Sequence, residues 1–311
     1  MSKKTPLDRT EIFPDITYLN KRLSRNQIVD LGKLSGNELT EHLNRSRQLL
    51  CIMNTRKNAA EVYDQLDDHE SAYLLTTLLT PRDRGKILKE IKKDLKNGKP
   101  CRVISTNLIE AGVDIDFPVV FRESAGIDSL IQAAGRCNRE NQRKREESFV
   151  YYFQNDDFIV PDYLTKNRTA METAVEKGIE LSAPQTIEKY FENLYYLGAG
   201  EDKCLDKHHI IKAFLEGKRD SWLPFRTVAN EFHLIEDHDN AVYIPCAENI
   251  DLIKKLRNGD ATRQDYRLLG KDAASVPRGM LKSIKTKQID DSSFILLDSK
   301  KYDKRTGLKI Y

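Results

Sequence analysis

Between residues 48 and 155 the chain alternates short apolar runs with helix-patterned segments, and this alternation restricts its fold more than any other feature. The runs "QLLCIMN", "SAYLLTT", "CRVIST", "VVFRES" and "FVYYFQN" have the length and residue types of buried strands. In "RKNAAEVYDQL" between them, Ala59, Val62, Tyr63 and Leu66 share one helical face. In "PRDRGKILKEIKKDLKNG" Ile87, Leu88, Ile91 and Leu95 do the same, and Asn97-Gly98 supplies the C-cap. Strands that alternate with amphipathic helices are joined by crossovers, so the expected fold class is α/β, with a mainly parallel sheet.

Beyond residue 160 the alternation stops. "TAMETAVEKGIELS", "PQTIEKYFENLYYLG" and "DKHHIIKAFLEG" read as helices, and from about residue 220 short strands return in "FHLIED", "AVYIPC", "VPRGML" and "SSFILLD". The last strand is followed by "SKKYDKRTGLKIY", whose Lys-Arg-Thr-Gly suits the turn of a hairpin. The expected organisation is an α/β domain over 1–158, a helical linker over 159–219 and a small α+β accessory domain over 220–311. A chain of 311 residues can bury two such cores.

With 51 basic against 48 acidic residues there is no bulk field to attract a polyanion, so any nucleic-acid surface has to be local. The lysine-rich helix 86–99 and "RKRE" at 143–146 also contain acids and read as solvated faces. Apolar runs such as "LLTTLL" and "FILL" are too short to span a bilayer, and "MSKKTPLDRT" has no apolar core, so a cytoplasmic protein without a membrane partner is expected. The five cysteines form no C-x-x-C pair, which argues against a zinc site and against a disulfide framework. Neither His208-His209 nor His238-Asp239 has further histidines at ligand spacing, so they read as boundary residues and a polar turn, and no metal site is expected.

The chemistry concentrates in two neighbouring stretches. In "SLIQAAGRCNRE", Gln132, Gly135, Arg136 and Arg139 follow helical spacing and line one face, leaving Leu130, Ala133, Ala134 and Cys137 to face the sheet. A glycine inside a helix costs about 1 kcal/mol relative to alanine, so Gly135 points to a close approach to the backbone. Two guanidinium forks beside it suit a phosphate chain, although a pair of arginines on its own suits a solvated basic face as well. Upstream, "RVISTNLIEAGVDIDFP" puts Ser105 and Thr106 at a strand end and Glu110, Gly112, Asp114 and Asp116 in the loop beyond it. Ligands of parallel sheets bind beyond the carboxyl ends of the strands. A threonine there can hold a nucleic-acid phosphate, and a carboxylate can hold a ribose hydroxyl or a water near a triphosphate. By the same placement Thr55 and Arg56, Thr77 and Arg84, and Thr106 are five candidates for a nucleic-acid backbone.

"STNLIEAGVDID" and "QAAGRCNR" resemble motifs V and VI of superfamily two helicases. "EAGVDIDFP" followed by "DSLIQAAGRCNRE" is similar, more specifically, to the helicase-nuclease of type I CRISPR systems, the Cas-three family. "CIMNTRKNAAEVYDQL" resembles that family's motif IV region, and "LLTTLLTPRDR" the segment where a threonine and an arginine approach DNA. "PFRTVANEFHLIED" and "SVPRGML" resemble its C-terminal accessory domain. The resemblance implies a second RecA-like helicase domain, with Arg139 as arginine finger and Gln132 and Arg136 as its companions in a nucleotide cleft near Gly135, Gly112 and Asp114. It also implies Thr55, Thr77 and Thr106 along single-stranded DNA, a CRISPR surveillance complex as partner, and ATP with Mg2+ held mainly by a first RecA-like domain. No G-x-x-x-x-G-K-[ST] and no D-E-x-H-like strand end occurs in the sequence. Those parts and a nuclease domain are expected N-terminal to Met1, in cis or in trans, and the chain by itself is expected to be inactive as an ATPase. Two other readings remain at this point: a non-enzymatic DNA- or protein-docking remnant of a split helicase gene, and a fragment of an RNA helicase, against which the "EAGVDIDFP" wording counts.

Overall fold

A computed structural model of the protein describes residues 15–109, 112–158, 161–175, 180–198, 210–217, 223–232 and 239–311. Six strands, β1 (Gln27–Leu34), β2 (Gln48–Met53), β3 (Ala72–Leu75), β4 (Cys101–Thr106), β5 (Val119–Glu123) and β6 (Phe149–Asn155), form one sheet in the order β1-β6-β5-β2-β4-β3. Every pairing in it is parallel. The five expected strands are all present, and the central ones are apolar throughout because both their faces are covered. Leu50 and Ile52 of β2 pack on one side with Val103, Val120 and Val150. Leu49, Cys51 and Met53 pack on the other with Ile104, Phe121 and Phe153.

The helices that start this domain are α1 (Ile16–Leu23), α2 (Gly36–Arg45), α3 (Arg56–Asp64), α4 (Pro81–Lys96) and α5 (Ile127–Ala134). Their starts are specified locally: Ser35 and Glu38 form a capping box on α2, Thr55 caps α3, and Thr80 caps α4 with Pro81 in its first turn. β1 and α2 were not expected from sequence. β1 lies at the sheet edge, and polar Asp30 and Lys33 flank an irregularity in its register with β6, so it lacks the apolar run of a central strand.

The segment expected to be a linker contributes to the same core. Ala170, Met171 and Ala174 of α6 (Asp162–Ala174) and Tyr190 of α7 (Pro184–Gly198) belong to the apolar cluster on the α4 and α5 side of the sheet. The packed unit therefore extends past residue 158. Tyr190 is fully buried and its hydroxyl donates to the Asp128 carboxylate at the start of α5, 2.7 Å away. Gly126, at φ 142°, leaves room for that hydroxyl, since a Cβ there would lie 2.5 Å from it. Tyr190→Phe is expected to lower stability by about 1–1.5 kcal/mol, measured by urea unfolding; an unchanged midpoint would show that the bond contributes nothing.

The next helices are α8 (Ile210–Gly217) and α9 (Phe225–Glu231), which meet through an edge-to-face contact of Phe214 and Phe225 with ring centres 5.6 Å apart. His208, His209, His238 and most of "FHLIED" lie outside the described residues. The accessory domain contains β7 (Asp239–Tyr243), α10 (Ile250–Asn258), α11 (Arg263–Leu269), β8 (Ala273–Pro277), β9 (Thr286–Gln288) and β10 (Ser293–Leu296). Its sheet runs β8-β7-β10-β9, with β7 and β10 parallel and the remaining pairs antiparallel. The strand expected over "VPRGML" ends at Pro277, which has no ladder donor, and Arg278–Ser283 winds into a 3-10 helix. The final hairpin forms as expected, from β11 (Tyr302–Asp303) and β12 (Gly307–Leu308). No described helix is long and apolar enough to cross a membrane.

"TTLLTPRDR" fastens the accessory domain to the first. Leu78 belongs to the accessory core with Val242, Ile244, Val276 and Leu308. Ser275 N–H donates to the Thr77 carbonyl at 3.0 Å, and Leu308 N–H to the Leu78 carbonyl at 3.1 Å. Arg82 grips the buried Asp272 with two nitrogens, and the Tyr302 hydroxyl meets Thr80 and Asp83.

Candidate nucleotide and nucleic-acid sites

Helix α5 ends at Ala134, with Gly135 as its C-cap, so the expected face does not continue as helix to Arg139. The chain instead turns and bridges to Phe117: Phe117 N–H donates to the Arg136 carbonyl and Asn138 N–H to the Phe117 carbonyl, both at 3.0 Å. Fully buried Asn138, at φ 50°, locks this turn by donating to the Arg25 and Arg143 carbonyls and accepting from Arg143 N–H. The turn is thus rigid where Arg139 leaves it.

The two stretches singled out in the sequence meet here. Arg139 N–H donates to Asp116 at 2.7 Å, and its Nε donates to Asp114 at 2.6 Å. Asp116 also accepts from Arg143 at 2.7 Å. The Arg139 side chain is 41% exposed, and its two terminal nitrogens make no hydrogen bond among the described residues. Gly135 and Arg139 line a cavity of about 620 Å³ together with Arg25, Ile131 and Arg145. Gln132 is exposed on α5, and Gly112, at φ 71°, turns the loop that carries Asp114. Arg136 departs from expectation: it is buried, 8% exposed, and its guanidinium donates to the Val113 carbonyl. Its place after the helix end points it inward, where it holds the 112–116 loop through that carbonyl. Glu110 lies outside the described residues. Burial pushes the Cys137 thiol up to about 12, which leaves it unreactive in this turn.

The carboxyl ends of β2, β3 and β4 open on a second cavity of about 700 Å³. Thr55, Arg56, Thr77 and Thr106, four of the five candidates for a nucleic-acid backbone, line it, and Asp239, Pro277, Met280 and Tyr311 close it from the accessory domain. The fifth, Arg84, sits half-buried on α4 and is not among the lining residues, and desolvation lowers its pKa. Thr55 Oγ1 accepts from Asn58 N–H as the cap of α3, so its own proton remains available to an outside acceptor. Arg56 does not stand free: it donates to Thr77 Oγ1 at 2.8 Å, to the Ser275 carbonyl at 3.0 Å and to both oxygens of Asp239 at 2.7 and 3.3 Å.

Sequence reasoning missed several lining residues. Asn54, Lys57 and Asn107 flank the predicted threonines and were within reach of the same strand-end argument. Asp239, read from sequence as part of a polar turn, and Tyr311 carried no signal for this groove, because they reach it only through the docking of the accessory domain. Also missed was Glu123, a buried carboxylate whose pKa is raised by desolvation. It accepts from Asn54 N–H at 2.7 Å, and neighbouring Arg122 donates to the Asn54 side chain at 2.8 Å. This pair fixes the turn at the tip of β2 that presents Thr55.

Residues 45–142 match the family model described as CRISPR-associated nuclease/helicase Cas3, C-terminal. A CRISPR-associated nuclease/helicase Cas3 of Methanothermobacter thermautotrophicus is 36% identical over 96 residues, which cover 31% of this chain and 12% of the relative. That of Haloferax volcanii is 32% identical over 156 residues, covering 48% of this chain and 16% of the relative. In fold, the chain is similar to the crystal structure of T. fusca Cas3-ATP, with a TM-score of 0.55 at 16% identity over 87% of this chain and 38% of that one. The chain thus spans well under half the length of each of these proteins. Residues 45–142 are similar to the C-terminal region of the CRISPR-associated nuclease/helicase Cas3 family, and the fold built round them is similar to that of T. fusca Cas3.

Proposed function

We propose that the chain is the second RecA-like half of an ATP-driven single-stranded-DNA translocase of CRISPR antiviral defence, working with a first RecA-like domain and a nuclease domain supplied in cis or in trans. The observation that carries this reading is the convergence of Thr55, Arg56, Thr77 and Thr106 on one groove, while Arg139 and Asp114 meet at a separate, accessible point. The first arrangement suits a sequence-independent grip on a phosphate backbone, and the second suits one wall of a nucleotide cleft.

The residues present fit one side of ATP only. Arg139 offers two uncommitted guanidinium nitrogens, Asp114 orients them through Nε, and Arg136 steadies the Asp114 loop. ATP, when bound, supplies the phosphoryl group whose transfer drives translocation. No residue of this chain is assigned to Mg2+, which this reading leaves with ATP to the first domain. A CRISPR surveillance complex is the partner that would deliver the DNA, in the cytoplasm.

Fluorescence anisotropy with a labelled oligo(dT) tests the groove directly. Thr55→Ala is expected to weaken binding about fivefold, whereas Thr55→Ser keeps both hydroxyl and helix cap and binds like wild type. Equal affinity of all three proteins would remove the groove from the reading.

A further inference from the structure

The groove has a charge problem. Its lining includes two cations, Arg56 and Lys57, against three carboxylates, Glu61, Asp157 and Asp239, so an approaching polyanion meets no net attraction. Two of the three acids are otherwise engaged: Glu61 faces Lys57 at 3.6 Å, and Asp157 accepts Gly36 N–H at 2.7 Å. The third, Asp239, lies across the guanidinium of Arg56 with both oxygens and also accepts from the Ser275 hydroxyl at 2.6 Å. That guanidinium is held in place independently, by Thr77 Oγ1 and the Ser275 carbonyl, so its position does not depend on Asp239.

A nucleic-acid phosphate carries one charge and two free oxygens, the same fork that a carboxylate presents to an arginine. The Arg56 and Asp239 side chains are 22% and 27% exposed, so the pair sits in the groove wall, within reach of an incoming strand. Tyr311 also lines the groove, and burial raises its phenol pKa.

We propose that Asp239 is a built-in phosphate surrogate: its carboxylate occupies a phosphate subsite on Arg56 and swings aside when a backbone phosphate of single-stranded nucleic acid takes its place. This rests on the groove being the nucleic-acid path. The exchange trades one fork-to-fork ion pair for another, leaves the charge on Arg56 balanced throughout, and needs no separation of the two domains. Strand entry is therefore a competition, with Asp239 setting a threshold that weakly held or short strands do not pass.

The test uses the whole chain and labelled oligo(dT). Asp239→Asn keeps the shape and removes the charge, so binding is expected to tighten about fivefold. The plot of log affinity against log salt should steepen by about 0.7, because no displaced carboxylate is left to take up a counterion when the phosphate reaches Arg56. In an Arg56→Ala background the same substitution should bring no gain. If Asp239→Asn loosens the fold, as judged by thermal unfolding, Asp239→Ser carries the same expectation. Unchanged or weaker binding by the uncharged variants, no binding at all, or an equal gain without Arg56 would each overturn the proposal. Failure of the groove reading itself looks different, because Thr55→Ala would then leave affinity unaltered in every background.

Discussion

Arg139→Ala is expected to lower DNA-stimulated ATP turnover by about a thousandfold or more once the chain is combined with an ATP-binding RecA-like partner. The chain alone is expected to hydrolyse no measurable ATP, and that is the baseline. The size of the effect comes from where the charge sits. Phosphoryl transfer is catalysed chiefly by positioning and electrostatics, and Arg139 is oriented at Nε by Asp114 while its terminal nitrogens stay uncommitted. The loss should fall on chemistry and not on folding. Arg139 and Asp114 are 41% and 67% exposed in their side chains, and an ion pair at that exposure contributes at most about 1 kcal/mol to stability. Phosphate release and a thermal melt on the same preparation separate the two. Turnover within a factor of ten of wild type, with the fold intact, would remove Arg139 from the nucleotide site.

Gly307→Ala is expected to cost about 3 kcal/mol or more, a large loss for the addition of one methyl group. Two effects add. At φ 88° a side chain is strained wherever it stands. The new Cβ would also lie 2.7 Å from the Leu78 carbonyl carbon and oxygen and 2.8 Å from Leu79 N, main-chain atoms that cannot rotate away. Relief requires the β11–β12 hairpin to lift, which also breaks the Leu308 N–H bond to Leu78. The loss should therefore appear as weakened docking of the accessory domain, with an earlier urea transition and faster proteolysis near the hairpin. A wild-type midpoint would mean that the hairpin does not hold the two domains together.

The sequence was informative where a local rule decides structure. Buried central strands wrote themselves as apolar runs, Thr55 and Thr80 capped helices as such residues do, and strand-end threonines landed in one groove. It was silent where a residue's environment comes from distant chain. β1 is a polar edge strand, and α6 and α7 showed helical periodicity without revealing that their apolar side covers the sheet. Arg136 does not continue the helical face, because α5 ends at Ala134 and the bridge to Phe117 redirects the chain. The partner of Arg56 lies 183 positions away, beyond any reading of local pattern.

The border between the two domains follows the main chain of five residues, 75–79. Leu75 and Leu79 belong to the core of the sheet, and Leu78 between them belongs to the core of the accessory domain. The roof of the groove is consequently tied to its floor by peptide hydrogen bonds at Thr77 and Leu78, in addition to the Arg56–Asp239 and Arg82–Asp272 ion pairs. A change in the width of such a groove would have to break main-chain hydrogen bonds as well as side-chain ones.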